Sequence, residues 1–406
     1  MLARILAALM LGVAVSQAAW AEEPTGDSLL VLGEAGHDVS EPDAVPVEQN
    51  AAAELPPVDG AVIDDPTTPV IGSACETKAF GDSCVDEEPA WVGFTSVDAL
   101  FIQRTNLVGP LAVRSEAALD RGVPVITAGD VRYPTTPGLR IFQGWRRSDC
   151  TGIEVGYIGI WNMHADALAV SPDALLALPG QLGVVGGSGF DAATAIAPTL
   201  SSTLNSAECN VFATRIYDGC QRHDPLPWRR SWGVLAETVA TADWLLGIRW
   251  AGLDETATLA VTADSANTTS YRTTTSSQLI GPQIGHRRRV DWGDWSVEGW
   301  AKAGLMASTL TQSQSAIVGP QDLVQVRAPF SSTRIGLGMI GDLNASVVRR
   351  IGDRWGIRAG YTLLWLADVA PAANQWDFSD TPTSGTQLRT GSVFLHGATL
   401  GLEAAW

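Results

Sequence analysis

Apolar and polar residues alternate along most of the chain after residue 90. In 354–369, RWGIRAGYTLLWLADV, every second residue from Trp355 to Trp365 is apolar or aromatic. The residues between them are small, polar or charged as far as Thr362. A period of two residues predicts a β-strand, because successive side chains of a strand point to opposite faces.

The same period predicts ten strands. The predicted strands are 92–104, 138–147, 152–162, 208–217, 242–262, 277–288, 294–307, 336–349, 354–367 and 393–406. Long gaps, at 105–137, 163–207, 263–276, 308–335 and 368–392, alternate with short ones at 148–151, 289–293 and 350–353. The segment 218–241 is long where a short turn is expected, and a further hairpin there would make twelve strands.

The polar face of these strands is unusual for a soluble protein. It holds many glycines and charges of both signs, which suits a crowded barrel interior better than a solvated surface. Trp355 and Trp365 are ten residues apart, which corresponds to about 33 Å along a strand and about 25 Å of height after tilting. We therefore predict an all-β fold, a transmembrane antiparallel up-and-down β-barrel of ten, alternatively twelve, strands. A soluble secreted sandwich is the other alternating fold.

This register divides the side chains into two sets. The predicted lumen is lined by Arg140, Glu154, Asp243, Arg249, Glu298, Lys302, Asp342, Arg358 and Glu403. The predicted aromatic girdle consists of Trp91, Trp161, Trp244, Trp250, Trp295, Trp355, Trp365 and Trp406. The predicted lumen residues comprise four basic and five acidic side chains, so their charges nearly cancel. These side chains either line a channel or pair with one another and fill a narrow barrel.

The first 90 residues differ from the rest. Arg4, the apolar run that follows it and the small-residue site at 19–21 predict a cleaved signal peptide over 1–21. Residues 22–90 contain 17 acidic residues and one basic residue, and their Pro- and Ala-rich composition predicts a disordered periplasmic linker. The barrel then occupies 91–406, and the expected location is the outer membrane. No later segment has 18 uninterrupted apolar residues.

The net charge of −18 lies almost entirely in the predicted linker. No net basic footprint remains for nucleic acid. Of the five cysteines, Cys75 with Cys84 and Cys209 with Cys220 are spaced for short disulfide loops, which would leave Cys150 over; free cysteines are an equal alternative. No Cys-x-x-Cys motif occurs, so neither a metal site nor a cofactor is expected.

The chain stops on an amphipathic strand with a terminal aromatic residue, FLHGATLGLEAAW (394–406). This stretch closely resembles the last strand of outer-membrane proteins, which the barrel-assembly machinery recognises. The resemblance implies the barrel-assembly machinery as a partner. The chain also resembles the β-barrel porin family of planctomycete-type bacteria, through WVGF (91–94), GLRIFQGWRRSDCTGIEVGY (138–157), ADWLLGIRW (242–250) and GDLNASVVRRIGDRWGIRAGYTLLWLADVA (341–370). The resemblance implies an outer-membrane location and a pore or envelope role, and it brings no catalytic motif.

The expected function is a narrow passive pore for small solutes or ions, with outer-membrane lipid as the surrounding partner. The alternative is a structural or adhesive envelope protein with a closed lumen and partner-binding extracellular loops. An enzyme is not expected, because the chain lacks the common hydrolase and nucleotide motifs. Only His164, near Asp166, is placed for catalysis at a predicted extracellular strand end.

Three stretches of the sequence, one apolar and two basic, allow more than one interpretation. The apolar stretch 174–190 is predicted either to fold inward as a plug, to dock a partner, or to pack on the barrel rim. The basic runs at Arg287–Arg289 and at Arg349, Arg350 and Arg354 lie near predicted periplasmic turns. They would anchor the barrel to anionic head groups, contact the acidic linker, or simply be solvated strand ends.

Overall fold

The computed structural model describes 91–105, 110–114, 124–147, 150–173, 176–183, 190, 192–218, 238–264, 267–319, 325–352, 354–379 and 388–406. The predicted signal peptide (1–21) and linker (22–90) lie outside the described residues. Within the described ranges, no helix has the length and apolar character needed to cross a membrane.

In the described part of the chain, ten long strands form one antiparallel sheet that closes on itself. They are β1 (Trp91–Arg104), β2 (Thr136–Arg147), β3 (Thr151–Asp166), β4 (Ala195–Asp218), β5 (Thr238–Asp264), β6 (Asn267–Trp292), β7 (Trp295–Gln314), β8 (Phe330–Arg350), β9 (Trp355–Val369) and β10 (Gly391–Ala405). Each strand pairs with its neighbours in chain order, and β1 pairs with β10 to close the ring. The predicted ten-stranded up-and-down barrel is confirmed. The twelve-strand alternative is wrong, because β4 pairs directly with β5, with Asp218 opposite Val239.

The two ends of the barrel differ. At one end, which we call the turn end, β6 and β7 are joined by Gly293 and Asp294, and Gly293 has the positive φ of 56° that favours glycine in a tight turn. The first residues of β1 and the last residues of β10 lie here, where the Gly93 N–H donates to the Trp406 carbonyl at 2.8 Å. The opposite end, which we call the loop end, carries the long connections.

The strands also differ in length. Those from β4 to β8, which we call the tall wall, have between 20 and 27 residues, whereas β9, β10, β1, β2 and β3 have between 12 and 16. The long gap predicted at 263–276 and the last part of the gap predicted at 163–207, from Ala195 onward, were therefore wrong. These Ser- and Thr-rich stretches lack outward apolar residues, so they resemble loops in sequence although they are strands.

The outward face of the barrel is apolar toward the turn end. Leu246 and Ile248 on β5, Ile284 on β6 and Leu343 on β8 are exposed there. Toward the loop end, the outward residues of the tall wall become polar, as at Thr256. The barrel thus carries an apolar band next to the turn end, and the upper tall wall extends beyond it.

Short elements from the loops fold over the loop end. Strand Pro110–Arg114 pairs with Pro124–Thr127 and with Leu176–Ala177. Strand Ala169–Val170 pairs with β4, Ile317–Val318 pairs with Gln325–Arg327, and a short 3-10 helix covers Ala372–Gln375.

The cysteine expectation needs a correction. Cys209 is free and Cys150 is disulfide-bonded, so the proposed link between Cys209 and Cys220 was wrong. Cys209 lies within β4, whereas Cys150 lies in the turn between β2 and β3, where its carbonyl accepts from the Thr214 N–H at 2.7 Å.

Candidate functional site

The barrel interior has two parts. The part next to the turn end, which we call the charged layer, consists of Asp98, Arg140, Glu154, Glu208, Asp243, Arg249, Arg287, Arg289, Glu298, Lys302, Asp342, Arg358 and Glu403. The part next to the loop end, which we call the apolar layer, consists of buried wall residues and the loop residues packed on them. All nine residues predicted to line the lumen lie in the charged layer, eight of them buried and Glu403 half-buried.

Side chains of the charged layer reach across the barrel. Lys302 on β7 hydrogen-bonds Glu208 on β4, and its Nζ lies 3.4 Å from Glu154 Oε1 on β3. Arg287 on β6 also reaches Glu154, with 2.7 Å between Nη1 and Oε2, and lies 2.6 Å from Asp243. Since three strands, β4, β5 and β6, lie between β3 and β7 in the ring, these contacts bridge the interior directly.

Further pairs complete the layer. Arg249 Nη1 on β5 lies 3.0 Å from Asp342 on β8. Arg289 Nη2 on β6 lies 2.8 Å from Glu403 on β10. Because buried charges are tolerated only when paired and hydrogen-bonded, each bridge depends on its partner.

A second cluster centres on Asp98 of β1. Its Oδ2 accepts two hydrogen bonds from Arg140, at 2.7 and 2.9 Å, and its Oδ1 lies 3.4 Å from Arg358 Nε. The Arg140 guanidinium lies 4.7 Å from the centre of the Trp300 ring, and the Trp300 N–H donates to Asp342 at 3.2 Å. Such cation–π contacts add stability where the cation is desolvated.

Inward-facing glycines make this packing possible. A Cβ built on Gly144 would lie 2.2 Å from the Phe94 ring, and one on Gly156 would lie 2.2 Å from the Phe142 ring. Larger residues at these positions would collide with the aromatic rings. The glycines on the polar register therefore allow aromatic side chains to fill the interior.

The apolar layer is built by loops. Leu176, Leu178, Leu182 and Phe190, from the apolar stretch 174–190, are buried in one cluster with Leu253 of β5 and other wall residues. The Leu182 N–H donates to the Phe378 carbonyl at 2.8 Å. The described part of this stretch therefore folds inward. We call the loop residues of this cluster the plug.

One ion pair lies within the apolar layer. Arg104 of β1 bonds Glu255 of β5, and Glu255 also accepts from Ser202 at 3.1 Å and from the Ala372 N–H at 2.9 Å. Tyr133 lies 4.9 Å beneath the Arg104 guanidinium. Burial raises the pKa of Tyr133 to about 12, so its phenol stays neutral at physiological pH.

A cavity opens at the turn end, below the charged layer. Its volume is about 380 Å³, and we call it the vestibule. Its cationic lining residues are Arg146, Arg287, Arg289, Lys302, Arg350, Arg354 and Arg358, against four carboxylates, Asp243, Asp291, Glu298 and Glu403. The lining therefore carries an excess of positive charge.

The predicted girdle residues lie on the outward face. Seven of the eight tryptophans are exposed, and Trp250 is half-buried. The Trp250 N–H donates to Gln278 at 3.1 Å, and the Trp161 N–H donates to Asn205 at 3.1 Å. Both bonds lie where the outward face changes from apolar to polar residues.

Sequence reasoning missed four members of the charged layer, Asp98, Glu208, Arg287 and Arg289. Arg287 and Arg289 were interpreted as a basic run beside a turn, because the predicted strand ended at 288. In the structure, β6 continues to Trp292, so Arg287 and Arg289 point inward and only Arg288 points outward. If the alternation of inward and outward residues is continued from the predicted strand through the three arginines, it places Arg287 and Arg289 on the inward face.

His164, the predicted catalytic candidate, makes only a long contact with Asp166. His164 Nε2 lies 3.8 Å from Asp166 Oδ1, and both side chains are exposed at the end of β3. Within the described ranges, no group of three or more His, Cys, Asp or Glu side chains is placed to bind a metal ion.

No protein-family model matches the chain, and no curated protein matches it. Among solved structures, the chain is similar to the outer membrane protease OmpT from Escherichia coli, with a TM-score of 0.38 and 7% identity over 79% of this chain and 97% of that one. A Pseudomonas aeruginosa FadL homologue has a TM-score of 0.21 and 9% identity, covering 78% and 90%. The Ralstonia pickettii toluene transporter TbuX has a TM-score of 0.19 and 7% identity, covering 79% and 90%. At these scores the likenesses carry no argument about this chain.

Proposed function

We propose that this chain is an outer-membrane β-barrel protein whose lumen is closed, and that it acts in the cell envelope through its surface at the loop end. The observation that carries the proposal is that both the charged layer and the apolar layer of the barrel interior are filled by side chains. Lys302 and Arg287 bridge the charged layer to Glu154, and the plug fills the apolar layer above it. Ten strands also leave little room beyond what side chains fill.

The membrane location is supported by the outward face. Large exposed apolar residues such as Leu246, Ile248 and Leu400 form a band, and a soluble protein rarely exposes so much contiguous apolar surface. An even number of antiparallel strands, with short turns at one end and long loops at the other, is typical of outer-membrane barrels. In this orientation the turn end faces the periplasm.

The surface role is supported by the tall wall. A spanning strand needs only about 9–11 residues, whereas β5 has 27 and β6 has 26. The part beyond the apolar band has an outward Thr- and Ser-rich face, including Thr256, Thr258, Ser270 and Thr274. Such a polar sheet is suited to contact with water and with other envelope components. Membership of the porin family of planctomycete-type bacteria stays a prediction.

The narrow passive pore is the second candidate, and one observation favours it. The vestibule gives solvent an entrance from the turn end into a layer lined by charges. Conduction would require the cross-barrel ion pairs to separate and the plug to leave the apolar layer. Catalysis is not proposed, since the His164 and Asp166 side chains are both exposed and lie 3.8 Å apart.

Swelling of reconstituted liposomes in isotonic arabinose separates the two candidates. The closed lumen predicts swelling no faster than that of empty liposomes, with the barrel shown to be folded by its heat-dependent gel mobility. Swelling that rises with the amount of inserted protein would contradict the closed lumen. Recovery of the protein in a detergent-free soluble fraction would contradict the membrane location.

A further inference from the structure

Two outward arginines flank one strand near the turn end. In the antiparallel pairing, Arg215 of β4 and Arg288 of β6 both lie opposite Ala242 of β5. Arg287 bonds Asp243 inside the barrel. Because a strand alternates its faces, the neighbouring Arg288 and Ala242 point outward. Adjacent strands lie about 4.8 Å apart, so the Cα atoms of Arg215 and Arg288 are about 10 Å apart, with only the Ala242 methyl group between the two side chains.

Both guanidinium groups are available to a ligand. Arg215 and Arg288 are exposed, and within the described ranges neither forms an ion pair with a carboxylate. By contrast, the guanidinium of the outward Arg349 on β8 lies 5.4 Å from the centre of the Trp295 ring. Two unneutralised guanidinium groups on either side of a small residue favour an anion with several acceptor oxygens, such as a phosphate diester.

A tryptophan and a histidine lie one row further into the apolar band. Trp244 of β5 pairs with His286 of β6, and their ring centres are 5.0 Å apart. The Trp244 side chain is exposed. Exposed tryptophan rings of membrane proteins are enriched at the level of the lipid head groups, and an imidazole N–H can donate a hydrogen bond to a phosphate oxygen. This row therefore marks the boundary between head groups and acyl chains.

Beyond that row, the outward surface of the same strands is apolar. Leu246 and Ile248 on β5 and Ile280 and Ile284 on β6 are each more than half exposed. Acyl chains that cover these side chains remove apolar surface from water, which is favourable. Exposed arginines at the turn end and apolar side chains next to them thus match the two parts of an anionic phospholipid.

We propose that the outward face of β4, β5 and β6 near the turn end binds one anionic phospholipid of the periplasmic leaflet. Its phosphate diester lies between Arg215 and Arg288, the His286 side chain donates to it, and its acyl chains lie along Leu246 and Ile284. The inference rests on the membrane location proposed above, in which the turn end faces the periplasm. It holds whether or not the lumen conducts.

Native mass spectrometry of the full-length protein in non-ionic detergent tests the proposal, with phosphatidylglycerol and phosphatidylcholine of identical acyl chains. The unmodified chain is expected to bind the first phosphatidylglycerol about tenfold more tightly than phosphatidylcholine. Arg215→Gln/Arg288→Gln is expected to lose this preference. Arg147→Gln/Arg349→Gln removes the same charge from exposed positions on β2 and β8 and is the matched control. Its preference should stay within about twofold of that of the unmodified chain.

Heat-dependent gel mobility shows that each variant is folded before binding is measured. Equal affinity of the unmodified chain for the two lipids would overturn the site. An equal loss of preference in the β2 and β8 control would also overturn it, since net charge alone would then explain the binding. Displacement of bound phosphatidylglycerol by an equal concentration of inorganic phosphate would overturn it as well, because the acyl chains would then contribute nothing. Folded protein that stays soluble without detergent would instead contradict the proposed membrane location.

Discussion

The charged layer and the apolar layer fill the same lumen through different interactions, ion pairs in the first and apolar packing in the second. The charged layer contains ion pairs that span the barrel, such as Lys302 with Glu154 and Arg287 with Glu154. The apolar layer consists of loop residues, such as Phe190, packed against the wall. The charged layer is built into the strands, whereas the apolar layer is brought in by connections.

This difference predicts different failure modes. An ion pair that loses one member leaves a buried charge within the strands themselves, so the whole barrel is affected. A plug residue that is truncated leaves a cavity between a loop and the wall, so the loop can detach while the ladder of strands remains paired.

The largest effect is expected for Arg287→Gln, compared with Arg288→Gln. Removal of Arg287 leaves Glu154 and Asp243 without a cation that both contact, and the free energy of unfolding should fall by about 3–5 kcal/mol. Arg288 points outward, so its variant should differ by less than about 0.5 kcal/mol. Urea unfolding in detergent micelles measures both. An equal loss of unfolding free energy in both variants would mean that Arg287 stabilises the barrel no more than Arg288 does.

Phe190→Ala tests the plug, with Leu168→Ala as its control in the same connection. Phe190 is fully buried and Leu168 is 64% exposed, so only the first change leaves a cavity. Its expected cost is about 3–5 kcal/mol. Limited proteolysis should cut the Phe190 variant within 167–194 while the barrel strands stay protected. Equal resistance of both variants to protease would contradict the inward fold of this connection.

A double-mutant cycle on Arg104 and Glu255 tests the ion pair that these two residues form in the apolar layer. Either single change to Leu leaves a buried charge and should cost about 3–5 kcal/mol, whereas the double change should cost far less than the sum. Thermal unfolding of the four proteins gives the coupling energy. Additive losses would mean that Arg104 and Glu255 do not depend on each other.

The smallest effect is expected outside the barrel. The Tyr361 hydroxyl lies 2.6 Å from His396 Nδ1 on the outward face of β9 and β10. Tyr361→Phe removes this hydrogen bond and should cost about 1 kcal/mol. Urea unfolding measures the loss, and a loss as large as that of Arg287→Gln would erase the contrast between interior and exterior.

The two layers also differ in how far the sequence predicts them. Positions in the charged layer follow from the period of two, because a strand alternates its faces throughout; Arg140 and Arg358 are assigned inward on that basis alone. Their bonding partners do not follow. Which carboxylate Lys302 meets depends on the closure of the ring and the stagger of its strands, which bring β7 across to β3 and β4.

The apolar layer is much less predictable. The stretch 174–190 is recognisable as too apolar for a solvated loop, but its contacts with β5 are nonlocal and have no sequence period. The upper tall wall was missed for a related reason. Residues such as Thr268 and Ser270 face outward above the apolar band, so their strand lacks the outward apolar residues by which the other strands were found.

Single-channel recording in a planar bilayer tests the closed lumen most directly. The protein is refolded in detergent, its insertion is verified by heat-dependent gel mobility of the recovered bilayer protein, and current is recorded under an applied voltage. The two filled layers predict no conductance steps from the inserted, unmodified chain. Reproducible steps of uniform size from that same protein would contradict the closed lumen and establish the narrow pore.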